Sequence, residues 1–261
     1  MKAQADQRNE AGPADGARRR PVQQRSQERY ERLVDACAAL LDEAGAGALT
    51  TKAVAQRAGV PIGTLYQFFA GKESLLGALA ARNLERYLDR LARRLEAAAP
   101  PGVPGFVDLA VEEFVAMRRT VPGFGQVDFG LVDRTSPGVR DGEHLLDRTL
   151  DNNTAVALRL QALGGALFAA GPDTAGTDSP GPDAADTTED TNAAARPDAA
   201  RPGSTLALRV ALEAADAVLK LAFRTDPDGD PVLIAECKRL LGRYLGDGPP
   251  APPRDAADTP R

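Results

Sequence analysis

The spacing of apolar residues is the feature that most constrains the fold of this chain. Over residues 30–41, and again over 75–95, apolar side chains recur every three or four positions, which is the period of an α-helix with one buried face. The second run stops before Pro100-Pro101, and a helix of about 28 residues would span about 40 Å. Alanine is abundant, aromatic residues make up 5% of the chain and tryptophan is absent, which favours closely packed helices over a β-sandwich. We therefore predict an all-α fold.

Breaks in this spacing divide the chain into segments. Residues 1–25 have no apolar period and contain Arg18-Arg19-Arg20, so we predict a disordered basic arm there and a first helix capped by Ser26. A three-helix unit is expected over 26–71 and a larger helical unit over 72–246. The expected helices of the larger unit cover 72–99, 104–120, 138–169, 204–225 and 230–246, with a short helical turn near 124–132.

Two stretches lack the apolar residues that a core requires. Residues 171–203 contain no Leu, Ile, Val, Phe or Met and carry seven acidic residues against two arginines. Such a segment cannot bury enough apolar area to offset its ordering entropy, so we predict a disordered acidic loop. The Pro- and Asp-rich residues 247–261 are expected to form a disordered tail.

The run from Thr50 to Leu76 has the pattern of two short helices joined by a tight turn. A threonine cap precedes the first helix, Gly59 ends it, and Pro61 suits the first turn of the second. This helix-turn-helix geometry lets the second helix enter the major groove of DNA. Small and polar groups beside Tyr66 would allow close approach and hydrogen bonds to phosphates and base edges. Any corner of two packed helices can imitate the bare pattern.

The same stretch resembles the N-terminal domain of the tetracycline-repressor (TetR) family of transcriptional regulators. The resemblance is carried by Thr-Thr at 50–51, Val-Ala-x-x-Ala-Gly-Val at 54–60, Gly-Thr-Leu-Tyr-x-x-Phe at 63–69 and Gly-Lys-Glu-x-Leu at 71–75. It covers about fifty residues, from Arg29 to Leu79. The resemblance implies an all-α homodimer that binds a palindromic operator and leaves it when a small molecule enters the C-terminal domain.

By position, the resemblance also implies which residues contact DNA. Thr51 and Lys52 would do so near the start of the first short helix, and Lys72 would bind a phosphate at the start of the long helix. On or beside the recognition helix lie Pro61, Ile62, Gly63, Thr64, Tyr66 and Gln67. Relatives often have His or an aromatic residue at the position of Gln67, and glutamine suits paired hydrogen bonds to adenine. For Tyr66 the alternative is packing, and Arg57 is expected on a solvated face.

Charge is distributed unevenly along the chain. The net charge is −5, yet residues 18–72 hold nine Lys and Arg against five acidic residues. That segment is therefore +4 and the remainder −9. This asymmetry predicts one end that faces a polyanion and one that avoids it.

The larger unit resembles the family's ligand-binding and dimerisation domain in layout only. Glycines and aromatic residues punctuate residues 122–130, which predicts the mouth of a pocket. The expected lining residues are Phe106, Phe114, Met117, Phe124, Phe129, Phe168 and Phe223. Ordinary core packing is the alternative for each of them.

The last two helices are predicted to form a dimer interface. The helix over 204–225 has an alanine face that allows close approach, and the apolar stripe over 230–246 is too broad for one buried seam. Two such helices from each subunit would form a four-helix bundle across a two-fold axis. The expected interface residues are Ala211, Ala215, Val218, Leu233, Cys237, Leu240, Leu241 and Tyr244. An intramolecular core is the alternative.

Composition excludes several classes of protein. No window approaches 18 consecutive apolar residues, the N-terminus lacks an apolar secretory signal, and two cysteines make no disulfide framework, so we expect no membrane partner and a cytoplasmic location. The single histidine, His144, excludes a His-paired metal site and offers no catalytic pair, so we predict no enzyme, metal or cofactor.

We therefore predict a ligand-responsive repressor. Its expected partners are double-stranded operator DNA, a second copy of the chain and an unidentified small-molecule effector. A DNA-binding activator or a ligand-insensitive binder with the same fold is the alternative.

Overall fold

The computed structural model describes residues 16–127, 129, 146–147, 149–169 and 204–246. Across these residues it contains nine helices and no strand, which confirms the all-α prediction. The helices are α1 Gly16–Ala48, α2 Thr51–Ala58, α3 Ile62–Phe68, α4 Lys72–Ala98, α5 Val103–Thr120, α6 Asn152–Leu163, α7 Gly165–Ala169, α8 Thr205–Thr225 and α9 Pro231–Gly246. The predicted acidic loop over 171–203, the predicted tail over 247–261 and His144 lie outside the described residues.

Helix α1 begins at Gly16, so the predictions of a disordered arm up to residue 25 and of an N-cap at Ser26 are wrong. The alanine, arginines and glutamines between 17 and 25 are good helix formers, and extending a helix costs far less than nucleating one. Near its end the helix is kinked at Gly45, which has the non-helical angles φ 71° and ψ 174°. Residues 1–15 of the predicted arm lie outside the described residues.

The two short helices have the caps that the sequence predicts. Thr50 Oγ1 accepts a 3.1 Å hydrogen bond from the backbone N–H of Ala53 at the start of α2. Gly59 ends α2 with φ 65° and ψ 35°, a left-handed conformation that favours glycine. Pro61 lies one position earlier than predicted, at the N-cap of α3 instead of within its first turn.

One apolar core joins α1, α2, α3 and the start of α4. Its buried residues include Leu33, Val34, Cys37, Leu41, Val54, Ala55, Leu65, Phe69, Leu75, Leu76 and Leu79. Burial raises the pKa of the Cys37 thiol to about 12, so this cysteine is a small core residue and not a reactive thiol. This core holds α3 at a fixed angle to α1.

Helix α4 belongs to two cores at once. Leu75 and Leu79 pack in the N-terminal core, whereas Leu84 and Leu91 pack in a second core with α5 and α6. With 27 residues the helix spans about 40 Å. A tilt of α4 in the larger unit would therefore displace the three-helix unit.

Helices α5, α6, α7, α8 and α9 form the larger unit together with the second half of α4. Glu113 of α5 is 3% exposed, and its Oε1 lies 2.5 Å from Nε of Arg90 on α4. A buried carboxylate is costly unless it is paired, so this ion pair fixes α5 against α4. The predicted helices over 104–120, 204–225 and 230–246 correspond to α5, α8 and α9.

The predicted helix over 138–169 agrees with the structure from Asn152 onward, where α6 and α7 lie, but the described residues 146–147 and 149–151 before it are not helical. Helix α6 starts only at Asn152, after Asp151 Oδ1 accepts a 3.0 Å hydrogen bond from the backbone N–H of Thr154. Just before it, Asp147 Oδ1 accepts from the backbone N–H of Thr149 at 2.7 Å. Such local bonds from aspartate to the backbone compete with helix formation. The short helical turn expected near 124–132 falls, in its described part, among hydrogen-bonded turns, where the backbone N–H of Val127 donates to the carbonyl of Gly123 at 3.0 Å.

Candidate nucleic-acid interface and interior cavity

The outer face of α3 is the first part of the candidate interface. Leu65 is completely buried and anchors the helix, whereas Gly63 and Gln67 on the same helix are exposed. Ile62 and Tyr66 are 42% and 55% exposed, so Tyr66 is not a core residue. A Cβ added at Gly63 would meet no atom within 4 Å, which leaves room for a partner's backbone. Of the other predicted residues, Pro61 is exposed and Thr64 is half-buried.

Thr51 and Tyr66 come together between the two short helices. Thr51 Oγ1 and Tyr66 Oη lie 3.2 Å apart, and either hydroxyl can donate the hydrogen bond. The bond ties the start of α2 to the exposed face of α3. Lys52 follows Thr51 and is exposed, so a flexible cation stands beside this hydroxyl pair. These predicted residues thus share one surface.

Lys72 has a role that the sequence did not predict. Its Nζ donates a 2.8 Å hydrogen bond to the backbone carbonyl of Ala46, and the side chain is half-buried. Ala46 belongs to the last turn of α1, where a cation interacts favourably with unpaired carbonyls. Lys72 therefore fastens the start of α4 to the end of α1, and two of its three N–H groups are left for a phosphate.

Arg57 is paired instead of simply solvated. Its Nη1 and Nη2 donate hydrogen bonds of 2.5 Å to the two carboxylate oxygens of Glu43 on α1. This pairing holds the pKa of the Glu43 carboxyl below its usual range. The pair neutralises Arg57 locally, so Lys52 rather than Arg57 supplies exposed positive charge on α2.

An interior cavity of about 90 Å³ lies in the larger unit, bounded by α4, α5, α6, α8 and α9. Of the predicted pocket residues, Phe106, Phe114 and Phe129 line it. The other four predicted residues are not among the residues that line it. Met117 and Phe124 are completely buried, and Phe168 packs edge-on against Phe106. The guanidinium carbon of Arg118 lies 4.6 Å from the centroid of the Phe223 ring. Aromatic content alone does not show which face of a helix meets a cavity.

Three polar lining residues were not predicted: Tyr87, Asn153 and Asp216. Their helical register could have indicated them. Asn153 shares its face of α6 with the buried Val156, Ala157 and Leu160, and Asp216 shares its face of α8 with Leu212 and Leu219. A polar residue on an otherwise apolar helical face either meets a buried partner or faces a cavity.

Residues 121–127 and 129, here called the connector, touch both units. The backbone N–H of Gly123 donates to Asp42 Oδ1 of α1 at 3.1 Å, and Val127 is completely buried in the N-terminal core. Asn83 Nδ2 of α4 donates to the carbonyl of Val127 at 2.7 Å. At the other end Phe129 lines the cavity, with its ring centroid 5.7 Å from that of Phe114. The connector therefore joins the cavity wall to α1.

Several residues predicted at a dimer interface face inward. Cys237 and Leu241 are 1% and 5% exposed and pack inside the chain, and Ala211, Ala215 and Leu241 line the cavity. The packing of these four residues favours the intramolecular alternative, because α8 and α9 turn their small and apolar faces toward α5 and α6. Val218, Leu233 and Tyr244 are half-buried, and Leu240 is 44% exposed.

The outer faces of α8 and α9 carry other large apolar residues. Leu206, Val210 and Leu221 of α8 and Val232 of α9 are between 42% and 74% exposed. No helix in the described ranges is both long and apolar enough to cross a membrane. Nor do the described residues bring together three or more His, Cys, Asp or Glu side chains that could hold a metal ion.

Comparison with known proteins agrees with this geometry. A family model for bacterial regulatory proteins of the tetR family matches residues 33–79, and one for a tetracyclin repressor-like C-terminal domain matches residues 181–247. A solved TetR-family transcriptional regulator from Streptomyces coelicolor is 37% identical, with a TM-score of 0.61 over 84% of this chain and 98% of that one. This chain belongs to the TetR family. The family consists of DNA-binding transcriptional regulators, which confirms that the chain is a regulator and not an enzyme.

Curated relatives match this TetR-family chain over a short stretch. The HTH-type transcriptional repressors KstR of Rhodococcus jostii and Mycolicibacterium smegmatis are 46% and 42% identical over 59 residues, or 23% of this chain. The match spans 28% and 29% of the length of those two relatives. The fatty acid degradation regulator FadR of Bacillus halodurans shares the fold, at 17% identity and a TM-score of 0.50, over 82% of this chain and 97% of that one.

Proposed function

We propose that this TetR-family regulator binds a palindromic operator as a homodimer and represses transcription until a small molecule releases it. The observation that carries the proposal is the exposed outer face of α3. Leu65 anchors the helix in the core, whereas the residues of the outer face do not pack in the core: Ile62, Gly63, Tyr66 and Gln67. A recognition helix needs this combination of a fixed angle and a free outer face. The repressor names of the KstR relatives add support for repression.

The homodimer is supported by the outer faces of α8 and α9. Leu206, Val210 and Leu221 follow one face of α8, and Val232 and Leu240 follow one face of α9. Burying such residues against a second copy would remove apolar surface from water, at roughly 25 cal/mol per Å². A two-fold dimer would present two α3 helices to two half-sites, which is why a palindromic operator is proposed.

Release by a small molecule is supported by the cavity and the connector. A molecule that pushes on Phe129 would move a segment that is hydrogen-bonded to α1 through Asp42 and to α4 through Asn83. A ligand that prefers the shifted arrangement lowers operator affinity by its differential binding free energy, typically about 1–3 kcal/mol.

Selection of bound duplexes from a random pool tests operator binding. The enriched sequences should contain two inverted half-sites, and light scattering of the complex should give two chains per duplex or a multiple of two. Enrichment of single half-sites bound by one chain would contradict the proposed dimer. A reporter with the selected site over its promoter should gain expression when the regulator is deleted, whereas loss of expression would indicate an activator.

A further inference from the structure

The wall of the cavity is almost wholly apolar, and its polar groups are few enough to consider one by one. Among its described lining residues the polar ones are Tyr87, Asn153 and Asp216. Tyr87 already has a partner, because its Oη donates a 3.0 Å hydrogen bond to the carbonyl of Ala110. What the cavity can recognise therefore depends on Asn153 and Asp216.

Asn153 places an amide at the cavity wall. The residue is 5% exposed and lines the cavity, and its side chain makes no hydrogen bond to any residue that the structure describes. Two other buried asparagines are bonded through at least one atom: Asn152 Oδ1 accepts from the backbone N–H of Leu146 at 3.0 Å, and Asn83 Nδ2 donates to the carbonyl of Val127 although its Oδ1 has no partner among the described residues. Leaving a buried amide unpaired is unfavourable unless another molecule supplies the hydrogen bond. Asn153 is thus placed to bind an occupant of the cavity.

Asp216 determines which charge the occupant can carry. Its carboxylate is 18% exposed and lies 2.8 Å from Nζ of Lys220, one turn further along α8. Leu212 and Ala215 beside it are half-buried, so the cavity approaches the surface along this part of α8. Among the described lining residues no Lys, Arg or His occurs. An anion would meet the Asp216 carboxylate and no basic group among the lining residues, which disfavours it in apolar surroundings. Lys220 already pairs with the Asp216 carboxylate, so a cationic occupant would gain little binding free energy from that carboxylate.

We propose that the cavity takes an uncharged, mainly apolar molecule with one hydroxyl, carbonyl or amide group that hydrogen-bonds to Asn153. This inference rests on the proposed function, since the molecule would be the effector. A side-chain amide can both donate and accept, so it suits any of these neutral groups. The cavity of about 90 Å³ is smaller than one that holds benzene, at about 150 Å³. A ring-sized occupant therefore displaces part of the wall, to which Phe114 and Phe129 contribute.

Four probes with one ring and different substituents test the chemistry. Cyclohexanol, cyclohexane, cyclohexanecarboxylate and cyclohexylamine would be titrated into the full chain by calorimetry at pH 7. Cyclohexanol should bind about fivefold to tenfold more tightly than cyclohexane, the effect of one net hydrogen bond. The carboxylate should bind at least tenfold more weakly than cyclohexanol, and the ammonium no more tightly than it. No binding of cyclohexanol, or equal binding of the carboxylate, would overturn the proposal.

Two near-isosteric variants test whether Asn153 and Asp216 determine these binding preferences. Asn153→Leu should remove the preference for cyclohexanol over cyclohexane while cyclohexane still binds. Asp216→Asn, at a half-buried position, should tighten binding of the carboxylate severalfold and leave cyclohexanol unchanged. If Asn153→Leu does not fold, as judged by circular dichroism, the Asp216→Asn result decides. Unchanged ratios in the variants would contradict the assignment.

Operator binding would be measured on the same preparation, so the two proposals fail separately. Probe binding that depends on Asn153, in a chain that does not bind DNA or does not release it, would retain the ligand class and reject the proposed function. Selective operator binding by a chain that takes up no cyclohexanol would retain the proposed operator binding and reject the proposed ligand class.

Discussion

At the residue scale, the position of a residue in the motif predicts where its side chain lies. It predicts less well which bonds that side chain forms. The family resemblance places Thr51, Tyr66 and Gln67 on one surface, and all three are found on the outer side of α2 and α3. It also places Lys72 at the start of α4, but the bond from its Nζ to Ala46 could not be predicted. That bond spans 26 residues, and one sequence does not reveal which carbonyl a flexible ammonium reaches.

Replacing Lys72 separates its two roles. Lys72→Met keeps the aliphatic stem but removes the hydrogen bond to the Ala46 carbonyl, so the free energy of unfolding should fall by about 1 kcal/mol. If the remaining N–H groups bind a phosphate, the variant should also weaken binding to operator and random duplexes equally and reduce the salt slope by roughly one. Urea unfolding and binding at three salt concentrations measure the two effects.

Lys52→Met is the matched control for Lys72→Met. Lys52 is exposed, so this change should alter the salt dependence of DNA binding without a loss of stability. Equal stability of Lys72→Met and the wild type would contradict the structural role of the bond to Ala46.

At the element scale, helices with a clear apolar period and caps follow from the sequence. Helices α4, α5, α8 and α9 lie within one residue of their predicted bounds. The start of α1 and the start of α6 were mispredicted, since helix extension at one site and aspartate–backbone bonds at the other outweigh the local pattern. The cavity lining depends on which helix faces meet, and periodicity along one helix does not determine that.

The connector offers a test of coupling between the cavity and α1. Gly123 has φ 73°, and a Cβ added there would lie 2.6 Å from the carbonyl oxygen of Ala38. No side-chain rotation relieves a clash with backbone, so Gly123→Ala should destabilise the chain by about 1–3 kcal/mol and loosen the contact with α1. Operator affinity should then respond less to any bound effector. Thermal unfolding and effector titration of the operator complex measure the two outcomes.

Gly125→Ala provides the control for Gly123→Ala. A Cβ at Gly125 would meet only the guanidinium of Arg118, at 3.8 Å or more, so stability and effector response should match the wild type. If Gly123→Ala were as stable and as responsive as Gly125→Ala, the connector would not couple the two units.

At the scale of the whole molecule, the division into a small and a large helical unit follows from the motif and the break at Pro100-Pro101. The dimer surface does not follow from the sequence, because α9 has apolar residues around much of its circumference. Only the packing of α9 against α5 and α8 shows which of these residues belong to the core of the chain. Cys237 and Leu241 are buried in the core of the chain, whereas Leu240 and Val232 are exposed.

Leu240→Glu tests the proposed dimer. Two charges near a two-fold apolar interface would be costly to bury, so the variant should be monomeric in light scattering at micromolar concentration and should bind operator more weakly. The control is Leu158→Glu on α6, since Leu158 and Leu240 are 42% and 44% exposed. The control should stay dimeric. A dimeric Leu240→Glu variant, or a monomeric wild-type chain, would contradict the proposed interface.

The central claim is that the outer face of α3 reads the operator sequence, and Gln67 tests it most directly. Binding of wild type, Gln67→Ala and the control Gln56→Ala, an exposed glutamine on α2, would be measured on operator and random duplexes at two salt concentrations. If Gln67 pairs with a base edge, Gln67→Ala should lower the preference for operator by about 1–3 kcal/mol and leave random binding and the salt slope unchanged. Gln56→Ala should keep the wild-type preference. Equal weakening of both duplexes by Gln67→Ala would contradict the assignment of α3 as the recognition helix.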